Sequence, residues 1–179
     1  MDWPSVSELS IVTMGGSGSN PNPDEDRPSG SLSASEERGG ERRQILIVED
    51  NAADVFFILQ ALKAANIQAD LHAVKDGEQA IGFFDAADRN DAEPCPDLVV
   101  LDINLPRIQG GEVLRHMRQS RRCANALVIA ISTSDSPRDR EEMTKLGANS
   151  YFRKPSEYAE FMKLGDVIQE LLSADRGAK

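Results

Sequence analysis

The sequence predicts an α/β fold: a doubly wound, five-stranded parallel sheet with helices on both faces, preceded by a tail of different composition. Two observations predict it. From Gln44 onward, short apolar runs alternate with helical segments five times over, which is how strands buried on both faces by crossover helices are written. The ends of these runs are also chemically related. Ile45-Leu46-Ile47-Val48 delivers Glu49-Asp50, Leu98-Val99-Val100-Leu101 delivers Asp102, and the run ending at Ile131 delivers Ser132-Thr133. In a parallel sheet those carboxyl ends lie along one edge, where such folds bind ligands.

The elements follow in order. A first strand spans Gln44–Val48, and a helix over Asp54–Ala65 places Ile58, Ala61, Leu62 and Ala65 on one core-facing side. Ala69–Val74 is the second strand. Asp76 is a good N-cap for a helix over Gly77–Asp88, and the polar stretch from Arg89 to Pro96 is a loop without evident chemistry. Leu98–Leu101 forms the third strand; Gly110-Gly111 then lets the chain turn into a helix ending at Arg118. Leu127–Ile131 is the fourth strand, and Pro137 suits the first turn of the helix running to Leu146. Ser150–Arg153 and a helix over Glu157–Leu172 close the fold, with Phe161, Leu164, Ile168 and Leu171 at core spacing.

Residues 1–43 differ in kind. Gly15 to Pro23 and Ser29-Gly30-Ser31 are turn and linker composition with little to bury, so a disordered tail is expected there. A weaker alternative is transient docking of Ser5 to Met14, which holds Val6, Leu9, Ile11 and Val12. The glycines are no phosphate loop, since no strand precedes them and no Lys-Ser/Thr follows. The domain is expected over 44–174, with a C-terminal tail at 175–179.

A chain of 179 residues with a 40% hydrophobic share suits one domain with a sizeable core. No apolar run is long enough to span a bilayer and the start lacks signal-peptide features, so no membrane and a cytoplasmic location are expected. Cys95 and Cys123 have no metal-ligand spacing and read as ordinary thiols. A formal net charge of −10 argues against nucleic acid as a partner. Arg115, Arg118, Arg121 and Arg122 read as a solvated helix end, and no helix-turn-helix pattern follows the core.

Glu49, Asp50 and Asp102 would repel one another if gathered at one edge, and a cation removes that conflict. Mg²⁺, a hard ion taking oxygen ligands, commonly sits between a few carboxylates and a phosphate. The hydroxyl of Ser132 and the lone Lys154 complete a site suited to a phosphoryl group on an aspartate. Each feature alone has a plainer reading: a solvated loop start, a strand-end cap, a surface lysine before Pro155. Their joint order at the ends of the first, third, fourth and fifth strands does not.

Val48-Glu49-Asp50, Leu101-Asp102-Ile103-Asn104-Leu105-Pro106, Gly110, Ser132-Thr133 and Lys154-Pro155 together resemble the receiver domain of two-component response regulators, a flavodoxin-like fold. Glu49 through Asp54, Ser132-Thr133-Ser134 and Asn149-Ser150-Tyr151 resemble, more narrowly, the stand-alone bacterial regulators that partner phytochrome-type histidine kinases. The resemblance implies that Asp102 is the phosphoacceptor. It implies that Glu49, Asp50, Asp102 and the backbone carbonyl of Asn104 hold Mg²⁺, that Lys154 and Ser132 bind the phosphoryl oxygens, and that Tyr151 is the switch residue. The family most often has Thr where Ser132 stands; Thr133 suits that role less well, because Ser132 directly follows the apolar strand. His72 and His116 have no catalytic setting.

Phe56 and Leu59 lie off the core face of the first helix, and docking onto a histidine kinase or partial burial under nearby loops fits them equally. Tyr158 and Met162 fall off the core spacing of the last helix and are candidates for a homodimer contact, as in similar phytochrome-linked regulators. Stand-alone phosphorelay signalling through protein contacts is the leading functional expectation. A phosphate sink for a histidine kinase uses the same chemistry without an output surface. A hydrolase of the haloacid dehalogenase type is remote, because Asn104 stands where that chemistry needs a second aspartate.

Overall fold

A computed structural model describes residues 42–176. The strands are β1 (Arg43–Val48), β2 (Ala69–Val74), β3 (Leu98–Asp102), β4 (Leu127–Ser132) and β5 (Ser150–Arg153). The helices are α1 (Ala52–Ala64), α2 (Gly77–Arg89), α3 (Gly110–Arg118), α4 (Pro137–Lys145), the short α5 (Tyr158–Phe161) and α6 (Lys163–Arg176). All strand pairs are parallel, in the order β2-β1-β3-β4-β5. The winding therefore reverses between β1 and β3, which places a crevice at their carboxyl ends.

Alternation along β1 divides the core. Ile45 and Ile47 face one side with Val55, Ile58, Ala61 and Leu62 of α1 and Leu164 and Ile168 of α6. Leu46 and Val48 face the other with Phe84 of α2, Val113, Leu114 and Met117 of α3, and Met143 of α4. The caps match the sequence: Asp76 accepts from the Gln79 N–H at 2.8 Å, and Pro137 opens α4 behind the N-cap Ser136.

The last helix differs from expectation. It breaks at Met162 into α5 and α6, and the buried positions become Phe161, Leu164, Ile168 and Leu172, with Leu171 only partly buried. A Cβ on Gly165 would stand 2.5 Å from the Ala61 carbonyl oxygen, so glycine there lets α6 lie directly on α1. Two further corrections concern the loops. Cys95 and Cys123, expected as separate thiols, are paired as a disulfide with Cα atoms 5.7 Å apart. Arg122 explains their meeting, because its guanidinium donates to the carbonyls of Ala87, Asn90 and Glu93 and draws the loop before β3 onto the segment before β4. Nor is the arginine group simply solvated: Arg118 donates to the carbonyls of Ala124, Ala126 and Gly147. Among the described residues no helix is long and apolar enough to cross a membrane. The expected tail lies outside the described residues, apart from its last two positions.

Candidate functional site

Four polar side chains converge at the β1/β3 crevice because buried strands end there. β1 hands Glu49 inward, where its side chain is 0% exposed, while Asp50 faces solvent. β3 ends on the buried Asp102. Oxygen atoms of Glu49, Asp50 and Asp102 all lie within 4.8 Å of one another. After β3 the chain turns back tightly: the Asn104 N–H donates to Asp102 Oδ1 at 2.8 Å and the Gly110 N–H to the Ile103 carbonyl. A Cβ on Gly110 would collide with the Asp102 carbonyl oxygen, so only glycine can start α3 this close to the strand.

Lys154 arrives from the end of β5, where its N–H donates to the Ser132 carbonyl at 2.7 Å. Its side chain is 6% exposed, and Nζ lies 2.5 Å from Asp102 Oδ2, 2.7 Å from Glu49 Oε2 and 2.9 Å from Asp54 Oδ2. Burial, and then the charge of Asp102, raise the Glu49 carboxyl from 4.5 to about 7, although Lys154 opposes the rise. Burial would lower the Lys154 ammonium, yet the charge of Glu49 and the hydrogen bond to Asp102 outweigh it and push it up. One cation among several carboxylates leaves the cluster short of positive charge. Hard oxygen donors gathered around that deficit fit Mg²⁺.

Ser132, fully buried, accepts from the Asn104 side-chain amide at 3.1 Å and from the Ser134 N–H at 3.0 Å. Tyr151 Oη donates to the Ser134 carbonyl at 3.0 Å, and the Arg140 guanidinium sits 5.1 Å from the centre of its ring. Thr133 is exposed, away from this network. The histidines are structural: His72 pairs with Gln44, and His116 with Asp85. All the expected site residues from Glu49 to Lys154 are thus brought to one edge, with Tyr151 one hydrogen-bonded step away. Phe56 is 54% exposed and Tyr158 51%, whereas Leu59 and Met162 pack in part against the core.

Two groups are given no role by the sequence reading. Asp54 reaches Lys154 from the first turn of α1, and the start of that helix beside the acid pair is the signal that could reveal it. Arg107, with φ of 65°, pairs with the buried N-cap Asp76 and with Glu78, tying the loop after β3 to the start of α2.

The sequence model of the response regulator receiver domain matches residues 45–165. Response regulator Rcp1 of Synechocystis sp. is 31% identical over 125 residues, covering 70% of this chain and 85% of that protein. The structure of Rcp1 in its Mn²⁺-bound form superposes with a TM-score of 0.63 at 30% identity, over 71% of this chain and 91% of the other. The phosphorylated cyanobacterial phytochrome response regulator RcpA gives a TM-score of 0.65 at 29% identity, over 72% and 92%. RPA3017, a response regulator in red light signalling of R. palustris, gives 0.60 at 35% identity, over 72% and 90%.

Proposed function

This chain belongs to the response regulator receiver family, and we propose that Asp102 accepts a phosphoryl group from a phosphohistidine of a histidine kinase. The convergence of Glu49, Asp50, Asp102 and Lys154 at one strand edge carries this reading. An oxygen of the Asp102 carboxylate attacks phosphorus in line; the P–O bond forms as the P–N bond to the kinase histidine breaks. Such transfer is mostly positioning and charge neutralisation. Glu49, Asp50, Asp102 and the backbone carbonyl of Asn104 would hold Mg²⁺, which when bound neutralises charge on the phosphoryl oxygens. Lys154 neutralises the rest, and the fold delivers its ammonium already desolvated against Asp102. The same residues assist loss of the group to water, so the protein promotes its own phosphorylation and dephosphorylation.

Ser132 links this chemistry to the surface. To donate to a phosphoryl oxygen its hydroxyl is drawn toward that oxygen, away from the Asn104 amide and the Ser134 N–H from which it accepts. Freeing Ser134 loosens the carbonyl that holds Tyr151, which then exchanges between two positions and alters the face formed by α4, β5 and α5. Output passes through protein contacts. The similarity to RcpA and RPA3017 supports a phytochrome-type kinase as the partner. The exposed ring of Phe56, with Leu59 beside it, supports kinase docking, and the exposed ring of Tyr158, with Met162, supports a homodimer contact.

Incubating the protein with an autophosphorylated phytochrome-type kinase and Mg²⁺ tests the reading. Label should move to the parent protein and not to Asp102→Asn, while Asp50→Asn should need more Mg²⁺. Full labelling of Asp102→Asn would refute the assignment.

A further inference from the structure

Lys154 has a third anionic partner that the phosphotransfer chemistry leaves without a task. Asp54 sits in the first turn of α1, 20% exposed, with Oδ2 2.9 Å from Lys154 Nζ. It is the most open of the three acids around that ammonium, since Glu49 and Asp102 are nearly closed to solvent. It also stands outside the group of carboxylates whose oxygens converge within 4.8 Å. We propose that Asp54 is a positioning residue that competes with the phosphoryl group for Lys154, and so holds the equilibrium back toward unmodified Asp102. The inference rests on the phosphoacceptor reading above.

The competition follows from how each partner changes on phosphorylation. Asp102 trades its carboxylate charge for an acyl phosphate carrying close to two negative charges, and Lys154 must turn from Oδ2 to the new oxygens. Glu49, in the convergent acid cluster, has its pull on Lys154 weakened when a cation is bound there. Asp54 is outside that cluster, so a cation bound there leaves its hold on the ammonium in place. Its carboxylate, which shares the Lys154 ammonium with Asp102, also repels a negative group added to that residue. Both effects have the same sign. A neutral residue at 54 releases Lys154 and removes one repulsion.

Fluoroberyllate, a phosphoryl mimic, provides the test in the full chain with Mg²⁺. Parent, Asp54→Asn, Asp54→Ser and Asp54→Glu are compared for fluoroberyllate affinity, for Mg²⁺ affinity without it, and for thermal stability. Removing one charge at this range predicts roughly tenfold tighter fluoroberyllate binding by the two neutral variants. Asp54→Glu should return to the parent value, and Mg²⁺ affinity in the neutral variants should stay level or fall, never rise, because losing a nearby negative charge favours an anion and disfavours a cation. A merely structural role for Asp54 would weaken both affinities and would not be rescued by Glu. Neutral variants that bind fluoroberyllate no tighter than a parent of equal thermal stability overturn the inference alone. So does an Asp54→Glu variant that behaves like Asp54→Asn. A parent that binds no fluoroberyllate overturns the phosphoacceptor reading, and this inference with it.

Discussion

Replacing Lys154 with methionine tests whether one buried cation holds the acid cluster together. Methionine keeps most of the stem's length and apolar contact, so the change is chiefly the loss of charge. The ammonium touches three carboxylates at 2.5–2.9 Å, two of them on side chains that are almost fully buried. Removing one partner of a buried ion pair costs about 3–5 kcal/mol, because the other charge is left uncompensated. Here the Glu49 carboxyl, already raised to about 7, takes up a proton more readily when Lys154 is gone. That relief places the expected loss at the lower end, about 3 kcal/mol at pH 8 in metal-free buffer, a large fraction of a domain's net stability. Saturating Mg²⁺ supplies positive charge to the same oxygens and should recover a substantial part of it. Urea unfolding of parent and Lys154→Met, with and without Mg²⁺ and at pH 6 and 8, measures each quantity. The loss should shrink at pH 6, where the Glu49 carboxyl is protonated. A deficit under about 1 kcal/mol at pH 8 without metal, or one that neither Mg²⁺ nor acid changes, would refute the electrostatic account.

Glu49 gives the pH dependence. Its folded value of about 7 lies above the ordinary 4.5, so its contribution to stability is full below 4.5 and is lost as pH rises toward 7; at 1.36 kcal/mol per unit the metal-free protein loses about 3 kcal/mol, and Glu49→Gln should flatten that slope in urea unfolding. Mg²⁺ stabilisation should grow across the same window, since the ligand must ionise to bind; a slope that survives Glu49→Gln contradicts this. Ser132→Ala should still label at Asp102 but transmit less of the change to Tyr151 and to partner or dimer affinity, where a coupling of about 1–3 kcal/mol is usual. Equal phosphorylation responses in Ser132→Ala and the parent, read by Tyr151 fluorescence and sedimentation, would sink the switch. Removing residues 1–41 should leave folding and phosphotransfer intact, given their Gly/Ser/Pro composition, and a large drop in thermal stability would argue otherwise.

What the sequence made legible was whatever a local pattern encodes. The edge strands β2 and β5, which carry Asp70, His72 and Ser150, were placed by the alternation of strand and helix. Apolar runs bounded by polar residues located β1, β3 and β4 to within a residue at each end, because a strand buried on both faces tolerates few polar side chains before its terminus. The same rule singled out Glu49, Asp102 and Ser132, each the first polar residue after such a run. Contacts between distant loops left no local trace. Asp54 and Lys154 are 100 residues apart, and Cys95 and Cys123 are 28 apart; each pair meets only because other elements bring the segments together. The break at Met162 was hidden for a related reason. Helical periodicity reads through it from Phe161 to Ile168, and the close approach of Gly165 to Ala61 on α1 is a contact between distant segments that the local pattern does not carry. Asp54 belongs with these cases, since its meaning depends on where Lys154 ends. A carboxylate in the first turn of a helix is ordinary favourable placement against the backbone dipole. It becomes a competitor for a phosphoryl group only when β5 delivers an ammonium to its side.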